Sequence, residues 1–72
     1  MVRVTLINAR KVANLTQAET AKKIGILPTS YQNIEYGIRK GSIEVWDALE
    51  DLFGIPQRQL REMQNPPDGN QA

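Results

Sequence analysis

The amino-acid sequence predicts an all-α domain built from five short helices. Apolar residues recur every three or four positions, which is the spacing that places side chains on one face of an α-helix. Residues that start or end helices stand between these segments. A chain of 72 residues buries only a small core, which short helices around one centre can form. We therefore expect one domain over residues 1–64 and a disordered C-terminal tail over residues 65–72.

A first helix is predicted over residues 5–13 from periodicity. Four residues recur at helical spacing in this segment: Leu6, Ala9, Arg10 and Ala13. They are expected to form one narrow buried side. The helix should stop near Asn14, where this periodic pattern ends.

The second helix is marked by a capping box. Thr16 and Glu19 stand three residues apart, so each side chain can accept a hydrogen bond from the backbone amide of the other. The helix is expected over residues 17–24, and Gly25 should end it because glycine adopts the left-handed conformation at little cost. Its inward residues by helical period are Ala18, Ala21 and Ile24.

A third helix is predicted to begin at Pro28, where a missing amide hydrogen costs nothing, and to end at Gly37. The helical period divides its residues between two sides. The inward residues are Tyr31, Ile34 and Glu35. The outward residues are Pro28, Thr29, Gln32, Asn33 and Tyr36. The second and third helices are thus expected to be joined by a tight turn.

Two more helices are expected in the second half of the chain. Ser42 can cap a fourth helix that ends at Gly54. Its apolar stripe is Ile43, Trp46, Leu49 and Phe53, opposite an acidic side of Glu44, Asp47, Glu50 and Asp51. Pro56 opens a fifth helix that runs to about Met63. Leu60 and Met63 are expected to face inward.

The charges are distributed unevenly along the chain. Residues 1–41 hold seven Lys and Arg against two Glu, a net charge of +5, whereas residues 42–72 hold two Arg against six Asp and Glu, a net charge of −4. This asymmetry indicates either a basic face for an anionic partner or two solvated surfaces that differ by chance. Charge alone does not choose between the two.

Composition narrows the chemistry that is open to the chain. It has no cysteine and no histidine, so thiolate ligands, the commonest metal ligand and the commonest general base are missing. We therefore expect no metal, no cofactor, no small-molecule ligand and no enzymatic activity. The N-terminal residues show neither a signal-peptide core nor a spanning segment. A cytoplasmic protein without membrane contact is expected.

One long stretch carries a recognisable motif: LTQAETAKKIGILPTSYQNIEYGIRKGSIEVWDALEDLFGI. It resembles the helix-turn-helix family of phage Cro and repressor N-terminal domains, the XRE or Cro/C1 type, and the resemblance covers roughly residues 6–60. The matching residues are Leu6, Arg10, Leu15, Thr16, Gln17, Ala21, Ile24, Gly25, Ile34, Glu35, Gly37, Ile43, Leu49 and Gly54. This spacing with flanking helices of the right length is fairly specific. It implies a compact five-helix bundle with a central helix-turn-helix, the lambda-repressor-like DNA-binding fold.

The resemblance also implies a function. The chain is expected to bind double-stranded DNA sequence-specifically and to regulate transcription, as a homodimer on a pseudo-palindromic operator. A chain of this length resembles Cro-like repressors of phages and mobile elements more than two-domain repressors. The rival is a protein-interaction module of the same fold, an antitoxin or adaptor that uses Trp46, Phe53 or the acidic half. An exposed apolar patch without a role in a monomer would favour the rival.

The third helix is expected to read bases. Its N-terminal turns would enter the major groove of B-DNA, with Pro28, Thr29, Gln32 and Asn33 as the base-reading set. Asn and Gln can bridge the adenine edge and a Thr methyl can lie against thymine, which predicts a preference for A·T pairs. Many members carry Ser or Thr as the cap and Gln, Arg or Lys at the first outward positions, whereas this chain has Leu27, Pro28 and Thr29, so specificity is expected to rest partly on DNA shape or on a partner. Without the surrounding motif, these residues would merely keep the helix in solution.

Further residues are expected at DNA phosphates: Thr16, Gln17, Ser30, Tyr36, Arg39 and Lys40. Gln17 stands at the start of the second helix, where exposed amides and the helix dipole favour an anion. Arg39 and Lys40 match the basic loop with which the family grips the DNA backbone. Tyr36 could equally pack on the scaffold.

A structural ion pair between Arg10 and Glu35 is implied by the resemblance. The helical period independently points both side chains inward. The alternative is a pair of unrelated surface charges.

Overall fold

The computed structural model describes residues 1–64 and shows five α-helices in that part of the chain. They are α1 (Val4–Val12), α2 (Gln17–Ile24), α3 (Pro28–Glu35), α4 (Ile43–Phe53) and α5 (Gln57–Leu60). The predicted all-α class is confirmed. An isolated antiparallel bridge joins the backbones of Val2 and Gln64. The tail predicted over residues 65–72 lies outside the described residues.

The turn between α2 and α3 follows from local signals. Thr16 Oγ1 accepts a hydrogen bond from the Glu19 amide at 3.0 Å, and Glu19 Oε1 accepts one from the Thr16 amide at 2.8 Å, so the predicted capping box is present. Gly25 ends α2 with a φ of 80°, in the left-handed region that glycine adopts without steric cost. Pro28 is the first residue of α3.

One shared core joins the five helices. Its buried residues are Leu6, Ala21, Tyr31, Ile34, Trp46, Leu49 and Leu60. Every helix contributes at least one of them, so each helix is held by removing apolar surface from water. The core therefore fixes α3 with one side inward and leaves its other side facing outward.

Four residues predicted to face inward are exposed instead: Ala13, Ala18, Ile43 and Met63. Each lies in the first turn of a helix or beyond its last residue, where the helical period no longer decides which side chains meet the core. Ile43, the first residue of α4, is 76% exposed, and Met63 is 40% exposed. The end predicted for α5 was also wrong, since the helix stops at Leu60.

The five helices are also short. Among the described residues, none is long and apolar enough to cross a membrane. Within the same residues, no group of three or more acidic, His or Cys side chains is arranged to hold a metal ion.

Candidate nucleic-acid interface

The inward side of α3 carries a buried carboxylate that has partners on both oxygens. Glu35 is 0% exposed. Its Oε2 accepts hydrogen bonds from Arg10 Nε at 2.5 Å and from Tyr31 Oη at 2.6 Å. Its Oε1 accepts from Gln17 Nε2 at 2.9 Å and, at a longer 3.5 Å, from Arg10 Nη2. We call Arg10, Gln17, Tyr31 and Glu35 the carboxylate cluster.

The carboxylate cluster ties α3 to both preceding helices. Arg10 comes from α1 and Gln17 from the first turn of α2. Arg10 Nη1 also donates to the backbone oxygen of Leu15 at 2.9 Å, which lies in the connection between these helices. A buried charge is costly unless it is paired and hydrogen-bonded. The Arg10–Glu35 ion pair is present, and the amide and phenol beside it supply further donors to the carboxylate.

The cluster also shifts the pKa values of Arg10 and Tyr31. Burial works against the charge on Arg10, but the hydrogen bond and negative charge of Glu35 outweigh it and raise the pKa of this guanidinium. Burial, together with the hydrogen bond and the charge of Glu35, raises the pKa of the Tyr31 phenol far above its usual range. At neutral pH Arg10 is therefore charged and Tyr31 keeps its proton, and both forms donate to the carboxylate.

Gln17 has a scaffold contact that the sequence did not reveal. It was predicted at a DNA phosphate, and in the structure its amide nitrogen donates to Glu35. A primary amide has two N–H donors, so this contact uses one and leaves the other. The phosphate contact of Gln17 stays a prediction. The hydrogen bond to the buried Glu35 carboxylate would orient the Gln17 side chain for that contact.

The outward side of α3 contrasts with the carboxylate cluster. Pro28, Thr29 and Tyr36 are exposed, and Gln32 and Asn33 are half-buried. Within residues 1–64, none of these side chains takes part in a hydrogen bond. We call these residues the outer face of α3. Leu27 precedes them as the cap residue and offers no side-chain hydrogen bond to the first turn.

A basic recess lies beside the outer face of α3. It has a volume of about 420 Å³, and its lining includes Ser30, Arg39 and Lys40. The structure therefore brings three of the predicted phosphate residues to one concavity. Ser42 lines the same recess and caps α4, where its Oγ accepts a hydrogen bond from the Val45 amide at 3.2 Å. A helix N-terminus favours negative charge, so the recess is positive through both side chains and backbone.

The other predicted site residues are placed differently. Thr16 is exposed at the start of α2, and its hydroxyl is already an acceptor in the capping box. Tyr36 is exposed just after α3, away from the buried core. Sequence reasoning missed Ser42 as part of the recess and Tyr31 as a donor to Glu35. The spacing of four residues between Tyr31 and Glu35 on one helix was the signal that could have revealed that contact.

The molecule is thus a small helical protein that presents an uncommitted polar helix face next to a basic recess. A helix-turn-helix family model matches residues 6–56, which include α2, α3, α4 and most of α1. The chain belongs to the helix-turn-helix family, in its Cro/C1 or XRE type. It is a DNA-binding regulator of this general class, and the family is not typically enzymatic. Neither the curated proteins nor the solved structures contain a match to the chain.

Proposed function

We propose that the chain is a sequence-specific transcriptional regulator, a Cro-like repressor of a phage or mobile element, and that α3 reads its operator. The division of α3 into two sides carries the proposal. Its inward residues are committed to the core and to the carboxylate cluster. Within residues 1–64, the polar side chains of the outer face have no hydrogen-bond partner, so their donors and acceptors are available to base edges.

The outer face of α3 suits the major groove. Thr29 and Asn33 are one helical turn apart and can reach neighbouring base pairs. Asn33 and Gln32 carry amides that can bridge the adenine edge, and the Thr29 methyl can contact thymine. These side chains are short and few, so we propose an operator that contains A·T pairs and is recognised in part by its shape.

The basic recess supplies the grip on the DNA backbone. Arg39 and Lys40 are exposed and Ser30 is half-buried beside them. Because phosphate contacts position a protein on the duplex without reading sequence, we assign these three residues to orienting α3. Gln17 and Thr16 at the start of α2 would contact the flanking phosphates.

We extend the proposal to a homodimer on a pseudo-palindromic operator. Helix-turn-helix dimers bind half-sites one helical turn apart, so the symmetry of the operator mirrors that of the protein. Ile38 precedes Arg39 and Lys40 in the chain and Ile43 follows them. Both isoleucines are largely exposed, and contact between copies would remove them from water. If each selected duplex binds a single protomer, the dimer is contradicted while base reading stands.

The rival function, a protein-interaction module, was expected to use Trp46, and the burial of Trp46 disfavours that use. Trp46 is 3% exposed, and its indole nitrogen donates to the backbone oxygen of Lys40 at 2.6 Å. It is therefore a core residue whose ring offers little surface to a partner. Phe53 is half-buried against the core. The remaining support for the rival is the acidic side of α4 and the exposed apolar residues, some of which, such as Met1 and Met63, lie close together at Gly37. The following experiment separates the two functions.

Selection of bound duplexes from a random DNA pool tests the proposed function. We expect enrichment of one consensus with inverted half-sites that contain A·T pairs. The same protein should bind a scrambled duplex far more weakly, since specific and non-specific affinities of such proteins differ by about 10³-fold or more. A pool that shows no enrichment after repeated rounds would contradict sequence-specific binding and favour the adaptor.

A salt titration of the Arg39→Ala, Lys40→Ala variant tests the basic recess. Each lost phosphate contact should reduce the slope of log affinity against log salt by about 0.9, so two contacts give about 1.8. The loss should be equal on the selected and the scrambled duplex, because the phosphates are alike. An unchanged slope would remove both residues from the interface.

A further inference from the structure

Arg3 is a buried cation that lies outside all five helices and binds to backbone oxygens. It is 6% exposed. Both donors of its Nη1 are used, one to the oxygen of Ile34 at 2.6 Å and one to the oxygen of Arg39 at 3.0 Å, and its Nε donates to the oxygen of Arg61 at 3.2 Å. One guanidinium thus joins the end of α3, the segment that carries Arg39, and the segment after α5. We call residues 37–41 the basic loop.

Trp46 completes a two-sided clamp on the basic loop. The guanidinium carbon of Arg3 lies 5.2 Å from the centroid of the Trp46 ring, in the geometry of a cation–π contact. The indole nitrogen of Trp46 donates to the oxygen of Lys40. Consecutive carbonyls, those of Arg39 and Lys40, are therefore held by Arg3 and by the ring on which Arg3 rests.

The close fit around Gly41 shows how tightly the loop is held. Gly41 has a φ of +79°, and a Cβ added there would lie 2.9 Å from the indole nitrogen of Trp46. A side chain at this residue would push the indole away from Lys40. The backbone of Arg3 is fixed as well, because its amide donates to the oxygen of Glu35 at 2.8 Å.

We infer that Arg3 is a positioning residue for DNA binding: it holds the basic loop in the conformation that presents Arg39 and Lys40 to the phosphates. The inference rests on the proposed function of those two residues. Arg3 acts through the loop, since it is buried and three of its N–H groups already point at protein oxygens. A planar guanidinium suits this task because its donors form a fixed fork, which a lysine ammonium cannot reproduce.

The clamp holds the positive charge of Arg3 in a buried site, and burial disfavours the charged form of the guanidinium. Burial, and after it the positive charge of Arg61, lowers the pKa of Arg3. The role assigned to Arg3 is that of its hydrogen bonds and its stacking on Trp46. A charge-matched control separates this role from a general electrostatic attraction to DNA.

Amide hydrogen exchange of the Arg3→Met variant tests the clamp directly. The amides of Ile38 and Arg39 both donate to the oxygen of Asn33, at 2.9 and 3.2 Å, so their exchange reports on the loop. We expect their exchange to accelerate about tenfold or more, because local opening becomes easier. The Thr20 amide inside α2 should keep its protection and so exclude global unfolding. Unchanged exchange at Ile38 and Arg39 would overturn the inference.

Salt titration of DNA binding then tests the positioning role. For Arg3→Met we expect a slope of log affinity against log salt that is shallower by about 0.9 to 1.8, one or two phosphate contacts. Arg58→Met is the control, since it removes the same charge from an exposed residue, and its slope should match the parent. If the loop exchanges faster while the slope stays at the parent value, Arg3 only stabilises the fold and the inference is overturned.

A more conservative substitution, Arg3→Lys, tests the inference if the Arg3→Met variant does not fold. Arg3→Lys keeps the charge and loses the fork, and it should shift exchange and slope in the same direction by a smaller amount. A parental slope and parental exchange in Arg3→Lys would overturn the inference. If the parent itself binds no duplex, the proposed function fails, and exchange at Ile38 and Arg39 still decides whether Arg3 clamps the loop.

Discussion

The two sides of α3 have the same backbone and opposite environments. On the inward side, Tyr31 and Glu35 are buried and hydrogen-bonded to each other, and partners from α1 and α2 complete the carboxylate cluster. On the outer face, the side chains of Thr29, Gln32 and Asn33 have no hydrogen-bond partner within residues 1–64. The inward side therefore holds the helix in place, and the outer face contributes little to holding it.

This difference teaches that stability and binding are separable on a single helix. Substitutions on the inward side should lower the free energy of unfolding, and substitutions on the outer face should change affinity for DNA. The carboxylate cluster fixes the orientation of the helix, so under the proposed function the backbone of α3 would need no reorganisation on binding DNA.

The largest effect is expected for Glu35→Ala. Arg10 would lose its partner in a site where the two side chains are 12% and 1% exposed, and breaking such a pair typically costs about 3 to 5 kcal/mol. Chemical denaturation measures the loss. Glu44→Ala, which removes an exposed carboxylate from α4, is the control and should cost about 1 kcal/mol or less. Coincident unfolding curves for Glu35→Ala and the parent would show that the cluster does not brace the fold.

A smaller effect with a pH signature is expected for Tyr31→Phe. The variant loses a hydrogen bond to a carboxylate, which should cost about 1.5 to 3 kcal/mol at neutral pH. The pKa of Tyr31 is raised in the folded state, so above about pH 10 the unfolded chain releases this proton while the folded chain keeps it. The contribution of Tyr31 is therefore complete below pH 10 and falls by about 1.4 kcal/mol for each pH unit above it.

The measurement for Tyr31 is the difference in unfolding free energy between parent and variant from pH 7 to 11. That difference should be constant up to about pH 10 and shrink beyond it. Tyr36→Phe removes an exposed phenol and serves as the control. A difference that grows with alkaline pH would contradict the protonated, donating form of Tyr31.

The smallest effect on stability is expected on the outer face. Thr29→Ala should change the free energy of unfolding by less than about 0.5 kcal/mol, as is usual for surface substitutions. Thr20→Ala is the matched substitution inside the fold, where the hydroxyl donates to the oxygen of Thr16 at 2.9 Å and the side chain is buried. It should cost at least about 1 kcal/mol. Equal losses for the two variants would show that the outer face of α3 stabilises the fold as much as a buried residue of α2 does.

The elements of the fold that the sequence predicted best are those determined by residues close to one another in the chain. The capping box at Thr16 and Glu19, the start of α3 at Pro28 and the inward placement of Tyr31, Ile34 and Glu35 all depend on residues within one or two turns. Helical period and capping act at that range. These features were therefore predictable from sequence, and the structure shows each of them.

The features that sequence did not predict depend on long-range contacts or on helix ends. Arg3 donates hydrogen bonds to residues that are between 31 and 58 positions away in the chain. No local sequence pattern indicates such partners. The side-chain amide of Gln17 donates to Glu35. A buried carboxylate needs hydrogen-bond donors, and Glu35 is buried only once the chain has folded. Ile43 keeps its place on the helical stripe and is still exposed, because it is the first residue of α4 and only the residues after it reach the core.

The claim that the outer face of α3 reads bases is tested most directly by a mobility-shift titration of the parent and Asn33→Ala. Each protein is titrated against the selected duplex and a scrambled duplex at one salt concentration, with Asn8→Ala from the exposed side of α1 as the control. If α3 reads bases, we expect a loss of about 1 to 3 kcal/mol for Asn33→Ala on the selected duplex and almost none on the scrambled one. Equal losses on both duplexes, or no loss on either, would contradict it.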